Sequence, residues 1–374
     1  MKTIHLICGR YYDFERKQPT IGGIQTYITN LLNLFKSLNF KCIVYQTYNT
    51  ENTTEIDGVT IIQSAVKQNK KDISKIKKSF KKCMSIYKDE TDILLFTTDS
   101  RIIKNKVKRS IAIQHGICWD IPRHESFSGF LNSCYTFNRS RHTFKTLERI
   151  RRVKNLVCVD YNFPNWYRAV SAYEYVPLHV IPNFSNIPSI NNKPTDCINI
   201  IFARRLEKYR GTRLFGEAAK LILEKYPFVH VTIAGNGPEK ENMKEVLSGH
   251  SARVSFIEYN STDSLKIHSN MHIAVIPTVG SEGTSLSLLE AMSSQCAVIC
   301  SNVGGMTNVV IDGFNGLIIE PNKNDLFDAM SFLIEQKLFR ETISANAYET
   351  IKQGFSLKKW QMSWKKLIES LYNQ

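Results

Sequence analysis

The chain of 374 residues contains no Asp-x-Asp and no Gly-x-Gly-x-x-Gly. The first absence removes a common way of holding a divalent cation against a diphosphate; the nearest approach, Glu90-Thr-Asp92, precedes an apolar run instead of ending one. The second weighs against a nicotinamide or flavin enzyme. No apolar run approaches ~18 residues, so a membrane-spanning helix is not expected. The opening Met1-Lys-Thr-Ile-His-Leu-Ile-Cys8 is too short and too polar for a secretory signal. The nine cysteines are odd in number and scattered, and only Cys296 and Cys300 lie close together, with no His at metal-ligand spacing. They read as reduced, mostly buried thiols of a cytosolic protein, with no metal site.

What is present is a large apolar fraction and an uneven charge. With 43% apolar residues the chain can bury two full cores, and its length suggests two or three domains. The formal net charge is +15. Residues 1–182 hold 29 Lys and Arg against 15 Asp and Glu, or +14, whereas residues 183–374 hold 20 against 19, or +1. Such asymmetry predicts that the first half faces a polyanion: nucleic acid, an anionic membrane or a phosphorylated substrate.

The most informative stretch is Gly280-Ser-Glu-Gly-Thr-Ser-Leu-Ser-Leu-Leu-Glu-Ala-Met292, which follows the apolar run Ile273-Ala-Val-Ile-Pro277. Leu286, Leu289 and Met292 share one helical face, so the segment reads as strand, loop and helix start. At such a junction the free amides of the first helical turn and the helix dipole favour an anion. Gly283 lets a ligand approach the backbone, and Thr284 or Ser285 is placed to cap the helix. Glu282 lies just before the turn and Glu290 two turns into the helix. Two carboxylates so placed can hold two hydroxyl-bearing parts of one elongated ligand whose phosphates lie between them. The bland alternative is a capped helix with two solvated glutamates.

Ser281-Glu-Gly-Thr-Ser-Leu-Ser-Leu-Leu-Glu290, followed by Ala297-Val-Ile-Cys-Ser-Asn-Val-Gly-Gly305 and Asn315-Gly-Leu-Ile-Ile-Glu-Pro321, resembles the donor-binding half of family 4 glycosyltransferases. Their signature is Glu, seven residues, Glu, met here by Glu282 and Glu290. The resemblance implies an α/β protein of the GT-B fold: two facing Rossmann-like doubly wound domains, a cleft between them, and a C-terminal helix crossing back to the first domain. It further implies a nucleoside-diphosphate sugar as donor, Glu282 on the donor-sugar hydroxyls, Glu290 on the ribose, and retention of anomeric configuration. The loop at Gly283, Thr284, Ser285 and Leu286 would meet the diphosphate with its amides.

The rest of the chain fits that order. Apolar runs at 3–8, 42–47, 59–64, 93–97, 111–114 and 156–159 alternate with helical or irregular segments, as in a parallel sheet covered by helices. Gly22 and Gly23 stand between the first strand and a helix whose inward residues are Ile28, Leu31, Leu32, Phe35 and Leu38; by resemblance this loop borders the donor phosphates and the acceptor. His115 follows a strand directly and precedes a glycine, and by resemblance lies near the reacting sugar. The Pro- and Asn-rich segment 183–194 reads as a linker between a first domain, 1–182, and a second, 195–354, with 355–374 as the terminal helix.

In the second half, Ala203-Arg-Arg-Leu-Glu-Lys-Tyr-Arg-Gly211 follows a strand. The family usually shows Gly-Arg and then Lys before a Gly, which assigns the diphosphate to Arg205 and Arg210, with Lys208 as competitor for Arg210. Ile257 and Glu258 correspond by resemblance to the base contact. With these cations and no Asp-x-Asp, catalysis is expected to need neither a metal nor another cofactor.

Two basic segments complete the reading. Residues 66–88 hold nine lysines, including Lys70, Lys71, Lys75, Lys77, Lys78, Lys81 and Lys82, with Ile73, Ile76, Phe80, Met84 and Tyr87 at helical spacing. Residues 139–154 hold Arg139, Arg141, Arg149, Arg151 and Arg152. Each cation near an anionic bilayer contributes on the order of 1 kcal/mol. The expectation is peripheral attachment to the inner face of the cytoplasmic membrane, where a glycan or lipid-linked acceptor resides; a solvated face over a core-packed stripe is the alternative. Competing functions are a GT-B epimerase or phosphorylase and a nucleic-acid-binding protein. A phosphorylase often needs a Schiff-base lysine, for which there is no local signature, and the lysine helix lacks the interleaved aromatics of a nucleic-acid binder.

Overall fold

The computed structural model describes all residues except 1, 21, 67–71, 118–129, 172–175, 190–192, 261–262, 281 and 374, and only the backbone of 72–75, 130–136 and 139. Two compact units divide the chain. One holds the residues to His115, the segment ending at Ile181, and the C-terminal residues from Trp364; the other is formed chiefly by Pro182–Ser363.

The first unit contains β1 (Thr3–Ile7), a short hairpin of β2 (Tyr12–Asp13) and β3 (Gln18–Pro19), then α1 (Gly23–Ser37), β4 (Lys41–Tyr48), β5 (Asn52–Ile56) and β6 (Val59–Ala65). After α2 (Asp72–Met84) come β7 (Ile93–Phe96), β8 (Ser110–Gln114), α3 (Phe130–Ile150), β9 (Asn155–Cys158), α4 (Asn162–Val170) and β10 (Leu178–Val180). Eight strands form one sheet in the order β10-β9-β8-β7-β1-β4-β6-β5. All neighbours run parallel except β5, which pairs antiparallel with β6 across the turn Asp57-Gly58. Both turn residues have positive φ, 48° and 74°, the geometry that Asp-Gly supplies in a two-residue hairpin. β5 reads Asn-Thr-Thr-Glu-Ile, too polar to announce a strand, and it sits at the sheet edge where polarity costs least.

The second unit contains β11 (Ile198–Ala203), α5 (Thr212–Lys225), β12 (Val229–Ala234), α6 (Lys240–Val246), β13 (Val254–Ile257), α7 (Ser264–His268) and β14 (Ile273–Ile276). α8 (Leu286–Ser293), β15 (Ala297–Ser301), β16 (Leu317–Ile319), α9 (Lys323–Glu335), α10 (Lys337–Gly354) and α11 (Leu357–Ser370) follow. The sheet order is β13-β12-β11-β14-β15-β16, entirely parallel. Such a sheet is covered on both faces, so its strands are apolar throughout. Ile200 and Phe202 enter one core with Phe215, Val231 and Val275. Their neighbours Ile201 and Ala203 enter the other with Ile276, Leu289 and Met292. That second core is what seats α8: Leu289 is fully buried, which stabilises by about 2 kcal/mol relative to exposure.

The stretch 183–194, expected to be a linker, belongs in its described part to the second unit. Ser185 donates its amide to Phe355 O (2.9 Å) and accepts from the Leu357 amide (3.0 Å), and the Phe184 and Trp360 rings lie 4.5 Å apart. α11 begins in the second unit, but from Trp364 the chain packs into the first. Trp364 Nε1 donates to Tyr27 Oη (2.9 Å), and Tyr372 Oη donates to Thr91 O (2.8 Å).

Candidate functional site

Numbered from β11, the second sheet runs 3-2-1-4-5-6, so the chain reverses direction across the sheet between β11 and β14. Ligands of doubly wound sheets bind beyond the strand carboxyl ends at that switch point, because the flanking loops diverge there and leave a crevice. The residues just beyond the ends of β11 and β14 are Arg204 and Thr278, and they meet.

Arg204 is buried, its side chain only 4% exposed. Its Nη1 donates to Thr278 Oγ1 and its Nη2 to Glu282 Oε2 at 2.5 Å. Arg210, in the short turn Lys208–Arg210 before α5, donates Nη1 to the same Oε2, and Thr278 Oγ1 donates to it at 3.2 Å. Among the described residues, every side-chain hydrogen bond of Glu282 falls on one oxygen, Oε2, and none falls on Oε1. Burial pushes the Glu282 carboxyl up, but Arg204 and Arg210 outweigh it, and the net effect lowers its pKa below the ordinary value. Arg210 also lies over the Tyr209 ring, 4.8 Å from its centroid.

The backbone holds this carboxylate in place. Glu282 O accepts the Gly305 amide at 3.0 Å. Gly304 has φ +58°, and a Cβ there would collide with the same carbonyl, which explains the Val303-Gly-Gly305 sequence after β15. Asn183 Nδ2 donates to Thr284 O at 2.5 Å, tying the segment after residue 182 to the loop before α8. Ser285 occupies the cap position of α8, and its hydroxyl makes no capping bond to the helix. The first amides of α8, from Leu286 onward, have no intrahelical acceptor, as at any helix start, and receive no side-chain cap from Ser285.

Glu290 lies on α8 and is held differently. Burial pushes its carboxyl up to about 7, and a hydrogen bond from Ser264 of α7 offsets this only in part. No cation stands against it among the described residues. Tyr259 is close enough for Glu290 to raise the phenol's pKa further, after burial.

Other expected site residues are placed as follows. Arg205 is 61% exposed and bonds Glu207 (3.1 Å) and Tyr209 (3.0 Å), so the guanidinium brought to Glu282 is that of Arg204, in place of Arg205. Consecutive side chains after a strand leave on opposite sides, and sequence alone does not say which of two adjacent arginines faces in. Lys208 is exposed, and Arg210 is the cation that reaches Glu282. Ile257 O accepts the Gly235 amide at 2.9 Å, and Glu258 is exposed, bonded to Lys240 (2.6 Å) and Asn236 (3.0 Å). Gly22 caps α1 and Gly23 is its first residue. His115, in the first unit, lies edge-on to Tyr27, and its Nε2 bonds Thr97 O at 2.9 Å. Burial lowers its pKa to about 4, so the ring is neutral, Nε2 carries the proton, and Nδ1 is an acceptor.

The basic segments divide. On α2, Ile76, Ser79 and Cys83 are buried, and Lys78 and Lys82 both pair with Glu51, at 2.5 and 3.6 Å. Lys77 and Lys81 are exposed. Lys70, Lys71 and the side chains of Lys75 and Arg139 lie outside the described residues. Arg141 and Arg151 are exposed, Arg152 is half-buried, and Arg149 bonds Ser100 O at 3.1 Å. All seven described cysteines are free thiols, and six are buried. Among the described residues no helix is long and apolar enough to cross a membrane.

This geometry gives a direct test of which arginine matters. Arg210→Gln is expected to weaken diphosphate binding about tenfold, the worth of one charged hydrogen bond, whereas Arg205→Gln leaves it within about twofold, as for a surface ion pair. Isothermal titration with a nucleoside diphosphate separates the two; equal losses would mean that Arg205 turns inward when ligand binds.

Residues 183–350 match the family model described as glycosyl transferases group 1. The chain is 25% identical over 320 residues to the uncharacterized glycosyltransferase MJ1069 of Methanocaldococcus jannaschii, covering 77% of this chain and 78% of that one. It is 28% identical over 178 residues to the capsular polysaccharide biosynthesis glycosyltransferase CapM of Staphylococcus aureus, covering 46% and 45%. Anabaena Alr3699/HepE, solved in complex with UDP, superposes with a TM-score of 0.72 at 16% identity over 99% of this chain and 100% of that one. The chain is a glycosyltransferase of the GT-B fold, similar over residues 183–350 to glycosyl transferases group 1.

Proposed function

We propose that the protein is a retaining, metal-independent transferase that moves a sugar from a nucleoside diphosphate to the hydroxyl of a lipid-linked or polysaccharide precursor at the cytoplasmic membrane face. The donor part of this reading is carried by one observation: Glu282 is anchored through Oε2 by two guanidiniums while Oε1 has no hydrogen-bond partner among the described residues. An anchored carboxylate with one free oxygen suits the hydroxyls of a sugar, and charged hydrogen bonds of this kind contribute roughly 1.5–3 kcal/mol each.

As the glycosidic bond breaks, negative charge grows on the leaving diphosphate, and the catalyst must stabilise it more in the transition state than before. Arg210 is the more exposed of the two guanidiniums, 19% against 4%, and can turn toward a phosphate. Arg204 then remains as the counterion of Glu282. The first-turn amides of α8 add positive potential without any proton transfer. Glu290 takes the ribose hydroxyls. The neutral ring of His115 is suited to accept a hydrogen bond from a hydroxyl through Nδ1 and is unsuited to act as a cation for phosphate.

The test is thermal stabilisation by a panel of UDP-, GDP-, ADP- and dTDP-sugars in EDTA, with Glu290→Gln as control. UDP-sugars come first, since HepE was solved with UDP. A shift with one nucleotide, unchanged by EDTA and lost in the variant, is the expected result. A shift that appears only when Mg²⁺ is added back overturns metal independence, and no shift with any donor removes the donor assignment.

A further inference from the structure

α3 presents a surface that the core does not use. Thr146 and Ile150 are buried, and they fix which side of the helix faces inward. At about 100° per residue, Phe137, Arg141, Phe144 and Glu148 fall within an arc of about 60° centred opposite Thr146. Phe137 is 70% exposed and Phe144 69%. Two phenylalanines one above the other on a solvent face are costly in water, because each holds a large apolar area there. Arg141 lies between them, Lys145 flanks them, and Arg151 follows just beyond the helix end; all three are exposed, and none has an ion pair among the described residues. Glu148 is the single acid on the stripe.

α2 has the opposite character. Its apolar side is consumed by the sheet, with Phe80 stacked on Phe96 at 6.2 Å, and two of its lysines share Glu51. The two basic helices are therefore not equivalent, although composition makes them look alike.

We infer that α3 is a membrane-docking helix, lying in the plane of an anionic bilayer with Phe137 and Phe144 among the acyl chains and Arg141, Lys145 and Arg151 at the phosphates. Charge complementarity selects this occupant: the unit carries nearly all of the chain's excess positive charge, and the phenylalanines are interleaved with cations instead of forming the continuous apolar patch expected of a protein interface. Long basic side chains reach the headgroup level while the rings sit deeper, which is how an interfacial helix combines the two attractions. The inference gives the proposed lipid-linked acceptor its meeting surface and rests on that reading only for its biological meaning. Vesicle binding is measured without donor or acceptor, and donor binding without vesicles, so either can fail alone.

The experiment is co-sedimentation of the full chain with vesicles of phosphatidylglycerol mixed into phosphatidylcholine, against pure phosphatidylcholine. The native protein is expected to pellet with the anionic vesicles. Phe137→Ser combined with Phe144→Ser should weaken binding by about tenfold or more; both rings are exposed, so the variant folds, which its melting temperature confirms. Lys78→Gln combined with Lys82→Gln should change binding by less than about twofold. Failure of the native chain to pellet overturns the inference. So does equal binding by the phenylalanine variant, or a concentration-dependent dimer that the variant abolishes, which would assign the stripe to a second copy of the chain.

Discussion

Glu282→Gln is expected to destabilise the second unit by about 3 kcal/mol as well as abolish transfer, because it leaves the Arg204 guanidinium buried against a neutral amide. Arg210 can turn to solvent when its partner is lost, but Arg204 cannot, being held by Thr278 beneath the sheet end. For a domain of this size about 3 kcal/mol corresponds to a fall in melting temperature of roughly 6–12 °C. Adding Arg204→Met removes the orphaned charge, so the double variant should recover most of the stability and none of the activity. Denaturant midpoints and a transfer assay on the three proteins decide it. An unchanged midpoint for Glu282→Gln would mean that water reaches Arg204 and that the carboxylate serves the substrate alone. From sequence, Glu282 is expected to bind ligand; in the structure it is the counterion of a buried arginine, so activity loss alone will not measure the proposed contact with sugar.

Glu290→Gln should move stability and affinity in opposite directions. With its carboxyl pushed up to about 7 by burial, the folded chain holds this proton more tightly than the unfolded chain does. The sign follows from linkage: between the ordinary carboxyl value and about 7 the native state binds more protons, so the stabilisation is complete at acid pH and is lost as pH rises through about 7. The span corresponds to about 3 kcal/mol. An amide does not titrate, so Glu290→Gln should be more stable than the native chain at pH 8, by roughly 1–3 kcal/mol, and nearly equal to it at pH 5. Nucleotide affinity behaves inversely. Ribose hydroxyls donate best to an ionised carboxylate, so affinity should rise from pH 6 to 7.5 by about tenfold, and the variant should show a weak, flat profile. Paired titrations and melts at those pH values test both; a variant that loses stability at pH 8 would show that the ionised carboxylate is favourably held in the empty protein.

Both expectations rest on a difference between two glutamates that look alike in the chain. Glu282 follows a strand end at the crevice of the sheet, where two cations converge. Glu290 is carried two turns down α8 into a region whose polar neighbours are a serine and a tyrosine. Environment, not residue type, separates an ionised anchor from a carboxyl poised near neutrality.

Much of this was legible in the sequence because it depends on local order. The apolar runs marked the central strands of both sheets, since a parallel strand buried on both faces needs a continuous apolar stretch. The Gly/Ser/Thr loop before Leu286 placed the start of α8, and the spacing of Glu282 and Glu290 put one before that helix and one within it. The polar edge strand β5 escaped because an edge strand carries no such run; the local signal that could have found it is the Asp57-Gly58 pair. Tertiary structure alone decided which of Arg204 and Arg205 faces inward, because that depends on how the chain leaves β11 and on Thr278, 74 residues away. It also decided that the described partners of Glu282 all meet one oxygen, that burial pushes the Glu290 carboxyl up to about 7, and that α3 exposes Phe137 and Phe144 while α2 spends its apolar side on the core. Sequence fixes which groups a segment can offer; orientation, burial and pairing come from residues distant in the chain, and those three set the charge and reach of every group in the site.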